Sequence, residues 1–171
     1  MPRAWIGLGS NLGDRLGYIK KALGMMERIP ETTLVAVSSL YDTAPVGKDD
    51  QPRFLNAVAE VATDLAPESL MCELLAIEDY CGRIRRDMWG PRTLDLDLLI
   101  YDDVEQSSDE LTVPHPRLAA RAFVLVPLAE IAPEVVVPGI GKDVRALEEK
   151  LGVAVGDVKR VGGPPSPCRD A

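Results

Sequence analysis

The chain has 171 residues, 46% of them hydrophobic, which favours one domain over two and supplies enough apolar side chains for a core. With 19 basic against 27 acidic residues the net charge is −8 and the pI about 4.7, which argues against broad binding to nucleic acid or an anionic membrane, though it allows a small basic pocket. No apolar targeting segment develops after Met1, the run from Ala122 to Val137 is broken by Pro127, Glu130, Pro133 and Glu134, and three scattered cysteines form no disulfide framework. A cytoplasmic protein with free thiols and no membrane span is therefore expected.

In chain order, Ala4 to Leu8 reads as a strand that turns at Gly9-Ser10-Asn11. Asp14 is placed to cap a helix whose apolar residues Leu16, Ile19, Leu23 and Met26 recur at helical spacing until Pro30 stops it. Thr33 to Tyr41 reads as a strand, Asp42 to Pro52 as a loop, and Phe54 to Thr63 as another strand. Pro67 sits at a first helical position, Leu70, Leu74, Ile77 and Cys81 line one face, and Gly82 ends the helix. A polar, arginine-rich loop from Arg83 to Thr93 leads into a strand from Leu94 to Tyr101. Asp102 to Glu110 is a polar turn, Leu111 to Val113 a short strand, Pro114 to Arg121 a loop or short helix, and Asp143 to Leu151 a short helix. The order β-α-β-β-α-β predicts an α+β fold of the split-βαβ type, an antiparallel-rich sheet with both helices on one face. Residues 1–160 would form the domain, and 161–171, with Gly162-Gly163-Pro164-Pro165, a flexible tail.

The chemistry concentrates in Trp89 to Asp97. Strand side chains alternate, so Asp95 and Asp97 share a face ~6–7 Å apart, while Leu96, Leu98 and Ile100 point to a core. Aspartate is disfavoured in strands, and two hard oxygen donors with open positions suit magnesium shared between protein and phosphate. Asp-x-Asp also marks solvated strand edges, so spacing alone leaves both readings open. Arg83, Arg85, Arg86 and Arg92 immediately precede the pair, and guanidinium forks match phosphate oxygens. The glycines of Gly7-Leu8-Gly9-Ser10-Asn11-Leu12-Gly13 fail the dinucleotide pattern at Leu12, and there is no P-loop, so they read better as a tight turn. His115, the only histidine, lies among phosphate-capable donors, and structural and functional roles both stand open. Phe54 shares a strand face with Asn56, an aromatic wall beside an amide, which is what a flat hydrogen-bonding heterocycle needs.

Several segments together resemble the 6-hydroxymethyl-7,8-dihydropterin pyrophosphokinases of folate synthesis, over roughly Ala4 to Pro138. They are Gly9 to Gly13, Ser38 to Thr43 with Pro45 and Gly47, Gln51-Pro52, Phe54 to Ala57, Glu78, and Gly82 to Arg85. Trp89 to Asp97, Leu111 to Pro116, Arg121, Phe123 and Pro127-Leu128 complete them. The resemblance implies a ferredoxin-like core and transfer of pyrophosphate from ATP to the pterin hydroxymethyl group, releasing AMP. It implies two Mg2+ ions held on ATP by Asp95 and Asp97, with Arg83 and Arg92 acting beside them. Phe54 and Phe123 would sandwich the reduced pterin, with Asn56, Thr43, Ala44 and Val46 at its polar edge and Trp89 closing over the substrates. Arg85, Leu98, Thr112, His115 and Arg121 would bind ATP. Two departures stand out: Arg86-Asp87-Met88 is one residue shorter than in some members, and Glu110 replaces an arginine that some carry.

A monomer acting on small molecules is the expected form. Two other classes are weighed against it. A non-catalytic ferredoxin-like module would bind nucleotide or pterin without turnover. A metal-dependent nuclease or glycosyltransferase built on Asp-x-Asp lacks a second acidic cluster in this sequence.

Overall fold

The computed structural model describes residues 1–44, 51–82, 93–152 and 157–169. Strand β1 (Arg3–Ser10) alternates Ala4, Ile6 and Leu8 against Trp5, and both sets are buried, so the strand is covered on both faces. Helix α1 (Arg15–Met26) starts where expected: the Asp14 carboxylate accepts from the Gly17 amide at 3.0 Å, satisfying one of the first-turn donors. Its Ile19, Ala22, Leu23 and Met26 are fully buried.

The single strand expected from Thr33 to Tyr41 is instead two, β2 (Thr32–Val37) and β3 (Leu40–Thr43), both antiparallel to β4 (Phe54–Thr63). The cause lies in Ser38 and Ser39. The Ser38 amide donates to the Val58 carbonyl at 2.8 Å, and the Val58 amide donates to the Ser38 hydroxyl at 2.9 Å. A side chain thus takes the place of a main-chain acceptor, and the ladder breaks at that point.

Helix α2 (Pro67–Tyr80) has Pro67 in its first turn and ends before Gly82, whose φ of +79° is a conformation that favours glycine. Strand β5 (Asp95–Tyr101) completes the core. The strand order is β5-β1-β4-β3, with β2 also beside β4, so β2 and β3 share one strand position. That is the ferredoxin-like arrangement, and α1 and α2 cover one face as expected, around Ile6, Leu8, Leu23, Leu70, Leu74 and Leu96.

The other face is where the expected one-sided packing is corrected. Helices α3 (Ala122–Ile131) and α4 (Val144–Leu151) pack there on Trp5, Val58, Leu99 and Ile100. A bulge makes this possible: Ile6 pairs with Leu98 and Trp5 with Ile100, so Leu99 is an extra residue in β5. Leu99 and Ile100 both join the second cluster, under the helices. At the other end of β5 the carboxylates begin.

The stretch expected as a polar turn contains β6 (Gln106–Ser107), paired with β7 (Thr112–Val113). Where a frayed tail is expected from residue 161, β8 (Val158–Gly162) pairs with β3 and the chain then runs along α1. The Cys168 amide donates to the Lys20 carbonyl at 2.9 Å. A Cβ at Gly24 would lie 1.9 Å from the Cys168 carbonyl oxygen, so this approach requires glycine. Among the described residues no helix is long and apolar enough to cross a membrane, and the three cysteines are free.

Candidate active site

Cross-strand register builds the site. Asp95 pairs with Gly9, Gly9 with Asn56, and Asn56 with Tyr41, which places the four in one row on one face of the sheet. Asp97 pairs with Gly7 in the adjacent row. Asp95 and Asp97 are half-buried, whereas Leu96 and Leu98 are buried in the cluster beneath α1 and α2. The predicted alternation therefore holds from Asp95 to Leu98, whereas Ile100, expected beside Leu96 and Leu98, is turned to the other face by the bulge at Leu99. Gly9 is needed for a steric reason: a Cβ there would lie 2.7 Å from the Asn56 side-chain oxygen. The Asn56 amide occupies the space over β1 that a side chain would take.

On the β3 side, Asn56 Nδ2 donates to Thr43 Oγ1 at 2.5 Å, and Phe54 pairs with Thr43. Thr43, Phe54 and Asn56 are thus adjacent on the sheet, and Ala44 lies exposed just beyond β3. Asn11, in the turn after β1, donates to Gln51 Oε1 and to the Pro52 carbonyl, both at 2.9 Å, tying that turn to the approach to β4.

The third wall comes from residues 112–123. Thr112 lies half-buried in β7. The His115 amide donates to the Leu99 carbonyl at 2.8 Å, which fastens this segment beside β5. The Arg117 amide donates to His115 Nδ1 at 3.1 Å, so in the neutral ring the proton belongs on Nε2. Burial, followed by the charges of Arg121 and Arg117, pushes the His115 pKa down to about 4, against the opposing pull of Asp95. The ring is therefore a neutral Nε2–H donor at neutral pH. Burial also lowers the Arg121 pKa, while Asp97 raises it, Arg117 lowers it and Asp95 raises it. Arg121 lies over the ring of Phe123, 5.4 Å from its centroid, at the start of α3.

Among the described residues no group of three or more His, Cys, Asp or Glu side chains is placed to hold a metal. The donors present are two strand carboxylates beside two glycines. Such a set suits a hard cation that completes its shell with substrate oxygens and water, rather than a closed protein cage.

Arg83, Arg85, Arg86, Trp89, Arg92 and Val46 lie outside the described residues. Leu98 is not where a ligand-contacting side chain would be, because that side chain is in the core. Its main chain is better placed. The Leu96 amide turns away from β1 to donate to the Glu78 carboxylate at 2.7 Å, and strand periodicity turns Leu98 to the same open edge. Glu78 is fully buried on α2 and anchors the residue between the two aspartates. Its signal in the sequence is an acid at the edge of the Leu70-Leu74-Ile77 apolar stripe.

The 7,8-dihydro-6-hydroxymethylpterin-pyrophosphokinase (HPPK) family model matches residues 5–133, a span that runs from β1 to just past α3. The chain belongs to this pyrophosphokinase family. It is similar to the 2-amino-4-hydroxy-6-hydroxymethyldihydropteridine pyrophosphokinase of Pseudomonas aeruginosa, at 50% identity over 87% of this chain and 90% of that one. The Bacillus subtilis protein of the same name is 46% identical, over 77% of this chain and 79% of its own length. A solved Plasmodium falciparum HPPK-DHPS with pteroate superposes with a TM-score of 0.73 at 16% identity, which speaks to the fold alone. The superposition covers 93% of this chain and 45% of that one, so this chain spans about half its length. Asp95, Asp97, Asn56, Phe54, His115 and Arg121 all fall within the matched span.

Proposed function

We propose that this chain transfers pyrophosphate from ATP to the hydroxymethyl group of 6-hydroxymethyl-7,8-dihydropterin, releasing AMP, on the sheet face that carries Asp95 and Asn56. The family match carries the reaction class, and the single row Asp95, Gly9, Asn56, Tyr41 supports our placement of it. One end of that row holds Asp95, with Asp97 in the adjacent row, for a cation and polyphosphate, and toward the other the Asn56 amide stands near Phe54 for a flat heterocycle. Two substrates bound at its ends would meet over Gly9.

In this reading Asp95 and Asp97 hold magnesium, which when bound would neutralise charge on the triphosphate and orient the β-phosphorus. Arg121 and the neutral His115 Nε2–H donate to phosphate oxygens. Such donors act most strongly where charge grows as AMP leaves. Phe54 and Phe123 offer aromatic faces, and Asn56, held by Thr43, supplies fixed hydrogen-bonding groups to the pterin edge. Orientation of the hydroxyl oxygen toward the β-phosphorus is then set by binding rather than by a strong protein base. The Leu98 main chain offers hydrogen bonds at the open edge of β5. Arg83, Arg85, Arg92, Trp89, Ala44 and Val46 retain the roles implied by resemblance. A soluble monomer in the cytoplasm acting on these two small molecules fits this chemistry.

Product identification tests the reading. With ATP, Mg2+ and the reduced hydroxymethylpterin, the nucleotide product should be AMP and the pterin should gain two phosphates. Asp97→Asn should lower turnover by about a hundredfold or more, the usual scale for losing one electrostatic stabiliser. Formation of ADP, or undiminished turnover by D97N, would overturn it.

A further inference from the structure

Glu130 lies near the end of α3, far in sequence from the strands, and no part of the reaction described above uses it. Its carboxylate nevertheless collects three donors from the broken edge strand. The Ser39 amide donates to Oε1 at 2.9 Å, the Ser39 hydroxyl to Oε2 at 2.8 Å, and the Tyr41 hydroxyl to Oε1 at 2.6 Å. Arg160 of β8 donates to the same Ser39 hydroxyl at 3.0 Å.

The placement of these partners matters. Ser39 lies between the end of β2 at Val37 and the start of β3 at Leu40, so Glu130 takes the amide that the interrupted ladder leaves over. Tyr41 pairs with Asn56, and two residues on, Thr43 accepts from the Asn56 amide. Strand β3 has only four residues. Fixing its first half therefore fixes the height and tilt of Thr43, and with it the direction in which Asn56 points. The opposite end of α3 carries Phe123. Glu130 is thus a polar cross-link between the helix that offers Phe123 and the strands that offer Thr43, Asn56 and Phe54. Apolar packing of Val124, Leu125 and Leu128 holds the helix down, but it does not fix sliding as three directed hydrogen bonds do.

We propose that Glu130 is a positioning residue for the pterin half of the site, setting the separation and register of its two walls through Ser39 and Tyr41. The proposal rests on the pterin reading of Asn56 and Phe123, and it predicts an asymmetry. The ATP half is built mainly on β5 and residues 112–117, which are fastened by Glu78 and the Leu99 carbonyl, so all of it but Arg121, which caps α3, stands apart from this clamp.

The test uses the full chain with Glu130→Ala, which removes both acceptor oxygens, and Tyr41→Phe, which removes one hydroxyl. Two readouts are taken. Amide hydrogen exchange needs no substrate, and it should rise at residues 39–43 in E130A while 95–101 stay protected. In kinetics, KM for the pterin should rise about tenfold in E130A and about threefold in Y41F, with KM for ATP within twofold in both. The double variant should be no worse than E130A alone, because without the carboxylate the Tyr41 hydroxyl has already lost that contact. If exchange changes as expected but the wild-type protein turns over no pterin, the function reading fails and the clamp stands. Unchanged exchange, KM values that rise together for both substrates, or additive effects in the double variant would overturn the clamp.

Discussion

His115 carries opposing influences that give it a testable state. Burial and two arginines disfavour the imidazolium more than Asp95 favours it, so the folded pKa of about 4 lies below the ordinary 6.5. Between those values the unfolded chain binds the proton more readily than the folded one. Stability contributed by the neutral ring is therefore present above pH 6.5 and is lost as pH falls toward 4. This is the only histidine, so NMR should show one imidazole Cε1–H resonance that stays at its neutral position down to about pH 5. His115→Gln should flatten the fall in Tm between pH 6.5 and 4. A titration midpoint near 6.5 would mean that the ring is not buried and that Arg121 and Arg117 do not approach it. Glu130 behaves in a related way. Burial alone would raise its pKa, but hydrogen bonds from Tyr41 and Ser39, and the Arg160 charge, bring it below 4.5, so its stabilisation is lost only in acid.

At the scale of elements, β5 depends on a contact from outside the sheet. It is the edge strand beside β1, and the Leu96 amide would lack an acceptor without Glu78. Leaving such a buried donor unpaired costs about 1–3 kcal/mol. Glu78→Ala should lower stability to urea by at least that amount. It should also raise the Mg2+ concentration for half-maximal activity, since Leu96 lies between Asp95 and Asp97. Glu78→Gln keeps an acceptor for Leu96 and should recover much of both losses. If E78Q is as impaired as E78A, the buried charge matters more than the Leu96 bond.

The same element shows what local sequence can carry. The shared face of Asp95 and Asp97 follows from a period of two, which any strand obeys, and the start of α1 follows from Asp14. The row that joins Asp95 to Asn56 does not follow, because it depends on register across three strands rather than on neighbours in the chain. The break at Ser38 and Ser39 was unreadable for the same reason. It is made by Val58 on β4 and by Glu130, 91 residues away from Ser39. The two-residue β6 inside an acidic stretch offers no periodicity to detect.

In the molecule as a whole, the two faces of the sheet divide the labour. Helices α1 and α2 cover one face, and the residues after β8 lie against α1 on that side. On the other face α3 and α4 cover Trp5, Val58, Leu99 and Ile100, and Asp95, Asp97 and Asn56 lie on the same face beyond that cluster. A net charge of −8 surrounds it, yet Arg117, Arg121 and His115 gather beside the two aspartates. An anion is thus favoured beside Arg117 and Arg121. This division predicts that undocking the chain end should leave the chemistry alone. Gly24→Ala places a Cβ where the Cys168 carbonyl oxygen lies and must displace it. Alanine gains about 0.8–1 kcal/mol over glycine within a helix, which offsets the lost contacts, so Tm should change little. The Cys168 thiol, partly covered when docked, should react faster with a disulfide reagent, while both KM values stay within twofold of the parent protein. A rise in the pterin KM in this variant would show that the chain end supports the site through β8 and β3, and that the two faces are mechanically coupled.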